Sequence, residues 1–386
     1  MTKPAHRTEK IEPFHVMRIL AEARRLEAAG EDVVHMEVGE PDFATPQPIV
    51  AAGIAALEQE QTHYTPALGL PELRRAIATY YRQHLSVEVD ARRIVITPGA
   101  SGALQLLLAL LAEKDSSVLL SDPGYPCNRN LVYLFDAIPV AIPVDAASNF
   151  QLTPEAIDTA WREDTRAVMV TTPSNPTGSL LSLQQLDSIA RVVKAHGGSL
   201  IVDEIYQGLV YGQKPHSALS LGSDLYVINS FSKFFGMTGW RLGWLVAPEP
   251  MIPVLDKLAQ NLYLAASTPA QHAALAAFTP ETMEILQSRR REFEQRRDYL
   301  AGALEALGFS LDYRPEGAFY LYADCSGFGL DSATFSRRLL EELLVAVTPG
   351  LDFGEYRSNS YIRFAYTSNL ERLKEGVRRI KGFLAA

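Results

Sequence analysis

Nine lysines are present, and eight of them stand in polar segments or on charged helices. Lys233 alone lies between Ser232 and two phenylalanines, just after the apolar stretch 225–229. A lysine stripped of water loses proton affinity and becomes an amine nucleophile. A lysine that pairs a carboxylate at a strand end has the same local sequence. Asp203 closes the apolar run 199–202 and needs a partner there. It can serve as counter-ion to a buried cationic ring nitrogen, or as a helix cap or ion-pair member. Tyr206, three residues on, faces the same way if the segment turns helically; its ordinary role is core packing. Gly99-Ala100-Ser101-Gly102 opens a helix, and free N–H groups at the positive end of a helix suit a phosphate. Ser230, Ser232 and Arg241 add two hydroxyls and a guanidinium, the better bidentate anion clamp.

These groups need a frame that brings them together. Residues 93–97, 117–121, 167–171, 199–202, 225–229 and 242–247 read as short apolar strands. Between them, 98–102 reads as a tight loop, and 103–112 and 183–196 as helices. Helices are also predicted over 14–29, 48–59 and 70–84. This rhythm predicts an α/β fold with a mainly parallel sheet covered on both faces. The large domain is placed at 45–285. A charged helix over 281–307 leads into mixed strands (318–323, 360–366) and helices (332–344, 369–383). With segment 1–44, residues 286–386 are expected to form a smaller α+β domain. In open α/β sheets, ligands bind beyond the carboxyl ends of the strands. Those ends carry Ser101 and Gly102, Tyr125, Asn175, Asp203 with Tyr206, and Ser230, Ser232 and Lys233.

Composition removes several classes. Lys+Arg is 36 against Asp+Glu 45, a formal net charge of −9, so a basic nucleic-acid face is not expected. Apolar residues are 47% and charged residues 21%, which excludes disorder and coiled coil. The apolar run 103–112 is far short of the roughly 20 residues that span a bilayer. Cys127 and Cys325 have no metal or redox spacing, so no metal and a reducing compartment are expected. The polar N-terminus lacks an apolar signal core, and a cytoplasmic location follows as an expectation. No dinucleotide, P-loop or zinc-protease motif occurs.

Four segments carry a resemblance: Asn175-Pro176-Thr177-Gly178, Asp203-Glu204-Ile205-Tyr206, Ser230-Phe231-Ser232-Lys233 and Gly236-Met237-Thr238-Gly239-Trp240-Arg241-Leu242-Gly243. In order and spacing the chain resembles the class I/II aminotransferases, fold type I of the pyridoxal 5′-phosphate enzymes, in its aspartate aminotransferase-like branch. The resemblance implies ping-pong exchange of an amino group between an L-amino acid and a 2-oxo acid. It implies Lys233 as the Schiff-base and proton-transfer lysine. Asp203 becomes the partner of the ring nitrogen, and Tyr206 with Asn175 the pair on the ring hydroxyl. Tyr125 becomes the stacking aromatic. Ser101, Gly102, Ser230, Ser232 and Arg241 form the phosphate cup. Tyr64 is implied to reach the phosphate of the neighbouring subunit, hence a homodimer with shared sites. Arg363 is implied to clamp the substrate α-carboxylate, with Gly39 and Asn175 beside it. The segment Gly317-Ala318-Phe319-Tyr320 resembles a family strand, read here as packing near the site. His63, His196, Phe234, Phe235 and Trp240 are read as packing or surface residues. The loop 99–102 carries no lysine, whereas aspartate-type members often place one there, so the donor is left open. Two other readings use the same fold: β-elimination of a cysteine conjugate, and the cofactor-sensing half of a transcription regulator. The second needs a DNA-binding extension that the matched region, starting near residue 14, leaves no room for.

Overall fold

The structure, a computed structural model, describes residues 3–384. Its strands are β1 (Val34–His35), β2 (Ile94–Thr97), β3 (Ser117–Asp122), β4 (Ile138–Pro143), β5 (Thr165–Thr171), β6 (Ser199–Asp203), β7 (Tyr226–Ser230), β8 (Gly243–Val246), β9 (Tyr320–Asp324), β10 (Val345–Ala346), β11 (Thr348–Pro349) and β12 (Tyr361–Ala365). Seven of them form the central sheet, in the order β2-β8-β7-β6-β5-β3-β4. Pairing is parallel from β4 through β7, while β8 runs antiparallel to both its neighbours. The fold is thus α/β with a mainly parallel sheet, as the strand–helix rhythm predicts.

Alternate side chains on one strand point to opposite faces, and here each face has its own core. Val168, Val170, Leu200, Val202 and Val227 join one cluster. Ala167, Met169, Ile201, Tyr226 and Ile228 join the other. Burial on both faces explains why these strands read as unbroken apolar runs. The edge strand β4 carries Pro139 and Pro143 and is largely solvent-facing, as an edge tolerates. It was not foreseen, because its prolines break the strand pattern. The helices Pro126–Leu134, Pro154–Ala160, Ile252–Leu262 and Thr268–Leu275 were not foreseen either. The predicted loop 98–102 is corrected as well: the helix starts at Gly99 and runs to Leu111.

A second sheet, β11-β12-β9, is antiparallel. The N-terminal segment is laced into it. β1 pairs parallel with β10, Ala365 N–H donates to Met36 O at 2.7 Å, and the hydroxyls of Thr348 and Thr367 donate to Glu37 O and Val38 O, each at 3.0 Å. Gly39 is thereby delivered to the carboxyl end of β7, where its O accepts from Lys233 Nζ. The long helix Pro280–Ala306 packs against β9, the helix Leu370–Leu384 and the helix Gln47–Glu58. Its Arg296 is 1% exposed and reaches Asp42 with both terminal nitrogens, at 2.8 and 3.0 Å. It also donates to Thr367 O at 2.7 Å. Cutting this buried charge network is expected to cost about 3 kcal/mol, the lower end for a broken buried pair because Asp42 keeps some solvent contact. Urea unfolding of Arg296→Leu measures it, and an unchanged midpoint would contradict the assignment.

Candidate active site

At the carboxyl ends of β5, β6 and β7 lies a cavity of about 310 Å³. Gly39, Ser101, Tyr125, Asn175, Asp203, Tyr206, Ser230, Ser232, Lys233, Arg241 and Arg363 all line it. They come from segments spread over more than 300 residues; the central sheet places most of them at its carboxyl ends, and the second sheet with the N-terminal segment adds Arg363 and Gly39.

Lys233 follows β7. Its Nζ donates to Gly39 O at 2.7 Å and lies 5.9 Å from the Phe319 ring. Burial pushes its pKa down to about 8, with the Arg363 and Arg241 charges acting the same way and Glu40 and Asp203 opposing. Asp203 ends β6, and its Oδ1 accepts from Ile205 N–H at 3.1 Å. Burial pushes its pKa up to about 6, while that N–H and the Lys233 charge pull it down. At neutral pH the cavity therefore holds an ionised carboxylate and a lysine with an accessible neutral form. The Tyr206 hydroxyl is 2.9 Å from that of Tyr320, and burial holds the Tyr206 phenol well above its usual pKa.

The start of the helix Gly99–Leu111 faces the same space. Its N-terminus has no side-chain cap, so its first N–H groups are open to an anion. Gly99 takes a φ of +70°, and a Cβ there would meet the Arg241 guanidinium at 2.7 Å. Only glycine lets Arg241 lie against the helix start. Arg241 itself takes a φ of +52°, and its Nη1 donates to Thr238 O at 3.0 Å and reaches Ser232 Oγ at 3.5 Å. The Ser230 and Ser232 hydroxyls are 3.0 Å apart.

Arg363 projects from β12. It is 4% exposed. Its Nη1 donates to Asn175 Oδ1 at 2.8 Å, and its Nη2 donates to Glu37 O. Its guanidinium stacks between Tyr320 and Phe353, 4.4 and 4.7 Å from the ring centroids. Its Nε is buried with no partner. An orphaned guanidinium N–H is costly, and an incoming carboxylate would satisfy it.

Two predicted residues stand apart. Tyr64 is 83% exposed and is absent from the cavity wall in this single chain. Gly102 lies one turn into its helix, where a Cβ would meet Pro98 Cδ at 2.8 Å; its packing is against that proline. Several wall residues escaped sequence reasoning. Tyr320 was read as packing, yet it touches Tyr206 and Arg363 and crowds Gly39, whose Cβ would lie 1.9 Å from its hydroxyl. Phe14, Met17, Cys127, Asp352 and Phe353 also line the cavity. The glycine at 39 was the one signal that could have pointed to a close neighbour such as Tyr320. Among the described residues no cluster of His, Cys, Asp and Glu could hold a metal ion. No helix there is long and apolar enough to cross a membrane.

The family model for class I and II aminotransferases matches residues 31–380. The chain belongs to that family. It is 38% identical to a (5-formylfuran-3-yl)methyl phosphate transaminase of Methanocaldococcus jannaschii, with 97% of each chain covered. It is 36% identical to a valine–pyruvate aminotransferase of Mycobacterium tuberculosis, again with 97% of each covered. A crystal structure of an aminotransferase from Mycobacterium tuberculosis superposes with a TM-score of 0.96 at 35% identity, covering all of both chains. This aminotransferase accordingly moves an amino group between an amino acid and a 2-oxo acid. The two relatives carry different names for what they act on, so membership of the family leaves the amino donor open.

Proposed function

We propose that this aminotransferase works with pyridoxal 5′-phosphate held in the cavity, and that Lys233, Asp203, Tyr206 and Arg363 carry the reaction. The observation that supports this most is the convergence of four unlike groups in one space. They are a lysine with a lowered pKa, a buried carboxylate, an uncapped helix start with a guanidinium against it, and an arginine with an unpartnered Nε. Each fits one part of the cofactor or of an amino acid. When bound, pyridoxal phosphate supplies an aldehyde carbon for an amine and a ring that withdraws electrons from the substrate Cα.

The chain's residues divide the remaining tasks. Backbone N–H groups near Ser101 and Gly102, the Ser230 and Ser232 hydroxyls and Arg241 hold the phosphate. Asp203 keeps a proton on the ring nitrogen by its charge. Tyr206 and Asn175 hydrogen-bond the ring oxygen, and Tyr125 covers one ring face and excludes water. Lys233 Nζ, neutral, would take the proton from Cα and return it to the cofactor carbon that carried the aldehyde, two bonds away. Arg363 holds the α-carboxylate through its free Nε, with Gly39 O and Asn175 bounding the same end.

The exposed Tyr64 belongs, in this proposal, to the phosphate site of a second copy, making the enzyme a homodimer. Residues 45–285 act as the large domain; 1–44 and 286–386 act as a small domain that closes over the substrate and carries Arg363 with it. The place of action is the cytoplasm.

The pH dependence of cofactor capture tests the reading. Only the neutral amine attacks an aldehyde. With a pKa of about 8, the neutral fraction is about one-tenth at pH 7 and rises tenfold per pH unit below that. Capture by the apoprotein is therefore expected to speed up with rising pH and level off above about 8. Borohydride trapping followed by peptide mapping should put the added mass on Lys233. A pH-independent rate, or mass on another lysine, would contradict the proposal.

A further inference from the structure

One end of the cavity is set by Arg363, flanked by Tyr320 and Phe353. Beside it lies an apolar stretch of wall: Phe14, Val16 and Met17 from the N-terminal segment, and Phe353 from the loop before β12. Phe14 lies 6.1 Å from the Tyr125 ring. A buried carboxylate borders this stretch. Asp352 is 3% exposed and lines the cavity beside Phe353. Its Oδ1 accepts from His15 N–H at 2.7 Å and its Oδ2 from Val16 N–H at 3.3 Å.

The helix His15–Ala28 has no side-chain cap of its own, because Phe14 stands at the capping position. A carboxylate distant in sequence therefore satisfies its first N–H groups, where a negative charge is favoured. The next residue fastens the other side: Phe353 O accepts from Gly124 N–H at 2.8 Å, beside Tyr125. The Asp352-Phe353 pair thus holds both apolar walls in place.

We propose that this end of the cavity selects amino donors with uncharged, apolar side chains, and that Asp352 is the residue that sets the selection. It does so in two ways. It fixes Phe14, Val16 and Met17 against the cavity, and it opposes the carboxylate of an acidic side chain. Both oxygens are already engaged by backbone N–H groups, so the charge is held in place. Like charges brought together in a desolvated cleft repel strongly, and specificity is commonly built from such a repulsive element. The inference rests on reading this cavity as the amino-acid site.

The test uses the enzyme loaded with cofactor and follows the loss of its visible absorption when L-leucine or L-aspartate is added. The apparent kcat/KM of the half-reaction is expected to favour leucine about tenfold or more. Asp352→Asn keeps an oxygen for the His15 N–H but removes the charge. It is expected to shift the aspartate-to-leucine ratio toward aspartate by about tenfold through a faster reaction with aspartate, whereas loosening of the apolar wall alone would act by slowing leucine. Aspartate reacting as fast as leucine in the unmodified enzyme would overturn the inference while leaving the aminotransferase site intact. An unchanged ratio in a folded Asp352→Asn enzyme would overturn the role of Asp352. No conversion with any of leucine, alanine, aspartate or glutamate would overturn the reading of the site itself, and the inference with it.

Discussion

Lys233→Ala is expected to lose at least about 10⁴-fold in turnover, the upper range for one proton-transferring group, with the covalent role adding to it. The physical reason is local. Of the nine lysines, Lys233 is the one in the cavity wall, and its Nζ is held by Gly39 O at 2.7 Å. Among the described residues, the other amine-bearing chains stand elsewhere, so no neighbour can take over. The groups proposed to hold the phosphate, Arg241 and the helix start at Gly99, are untouched by the change. Cofactor should therefore still bind, noncovalently, with an absorption band unlike that of the unmodified enzyme. Steady-state rates and dialysis of the cofactor check both halves. Retained turnover would remove Lys233 from the mechanism.

Asp203→Asn is expected to lower kcat by about 10²–10³-fold, the scale of removing one preorganised electrostatic contact to the reacting system. The amide can still accept from Ile205 N–H, so the local turn is preserved; the charge is what is lost. The pKa of about 6 fixes the sign of the pH effect. In the apoprotein Asp203 is ionised above about pH 6 and protonated below it. The unmodified chain should thus lose cofactor affinity as the pH falls through 6, and Asp203→Asn should lack that dependence. Near-normal turnover in Asp203→Asn would mean that another group holds the ring-nitrogen proton.

The sheet and most of the site were legible because the same residues do both jobs. An apolar strand that ends in Asp203, or in Ser230 followed by Ser232 and Lys233, announces a buried strand and a polar end at once. Burial on both faces gave the unbroken runs of β5, β6 and β7, while the helix expected from 103 begins one turn earlier, at Gly99. What stayed hidden depends on contacts made far along the chain. Tyr320 reads as an ordinary strand aromatic until Gly39 and Arg363 are packed against it. Asp352 reads as a loop carboxylate until the N-terminal helix, 337 residues away, is laid across it. The helix 268–275 gave no clear signal, since it is eight residues long and its apolar positions are three alanines and one leucine besides a proline, without a marked apolar stripe. Tyr64 points outward in a single chain, and the role proposed for it requires a second one.

The central claim is that Lys233, Asp203 and Arg363 form one amino-group-transfer site. The most direct measurement is the absorption spectrum of the cofactor-loaded enzyme, before and after adding an amino acid, and again after adding a 2-oxo acid. The account predicts a visible band that disappears with the donor and returns with the acceptor, without ammonia release. A band that persists while ammonia and pyruvate accumulate from a β-substituted donor would contradict it, as would a protein that takes up no cofactor at all.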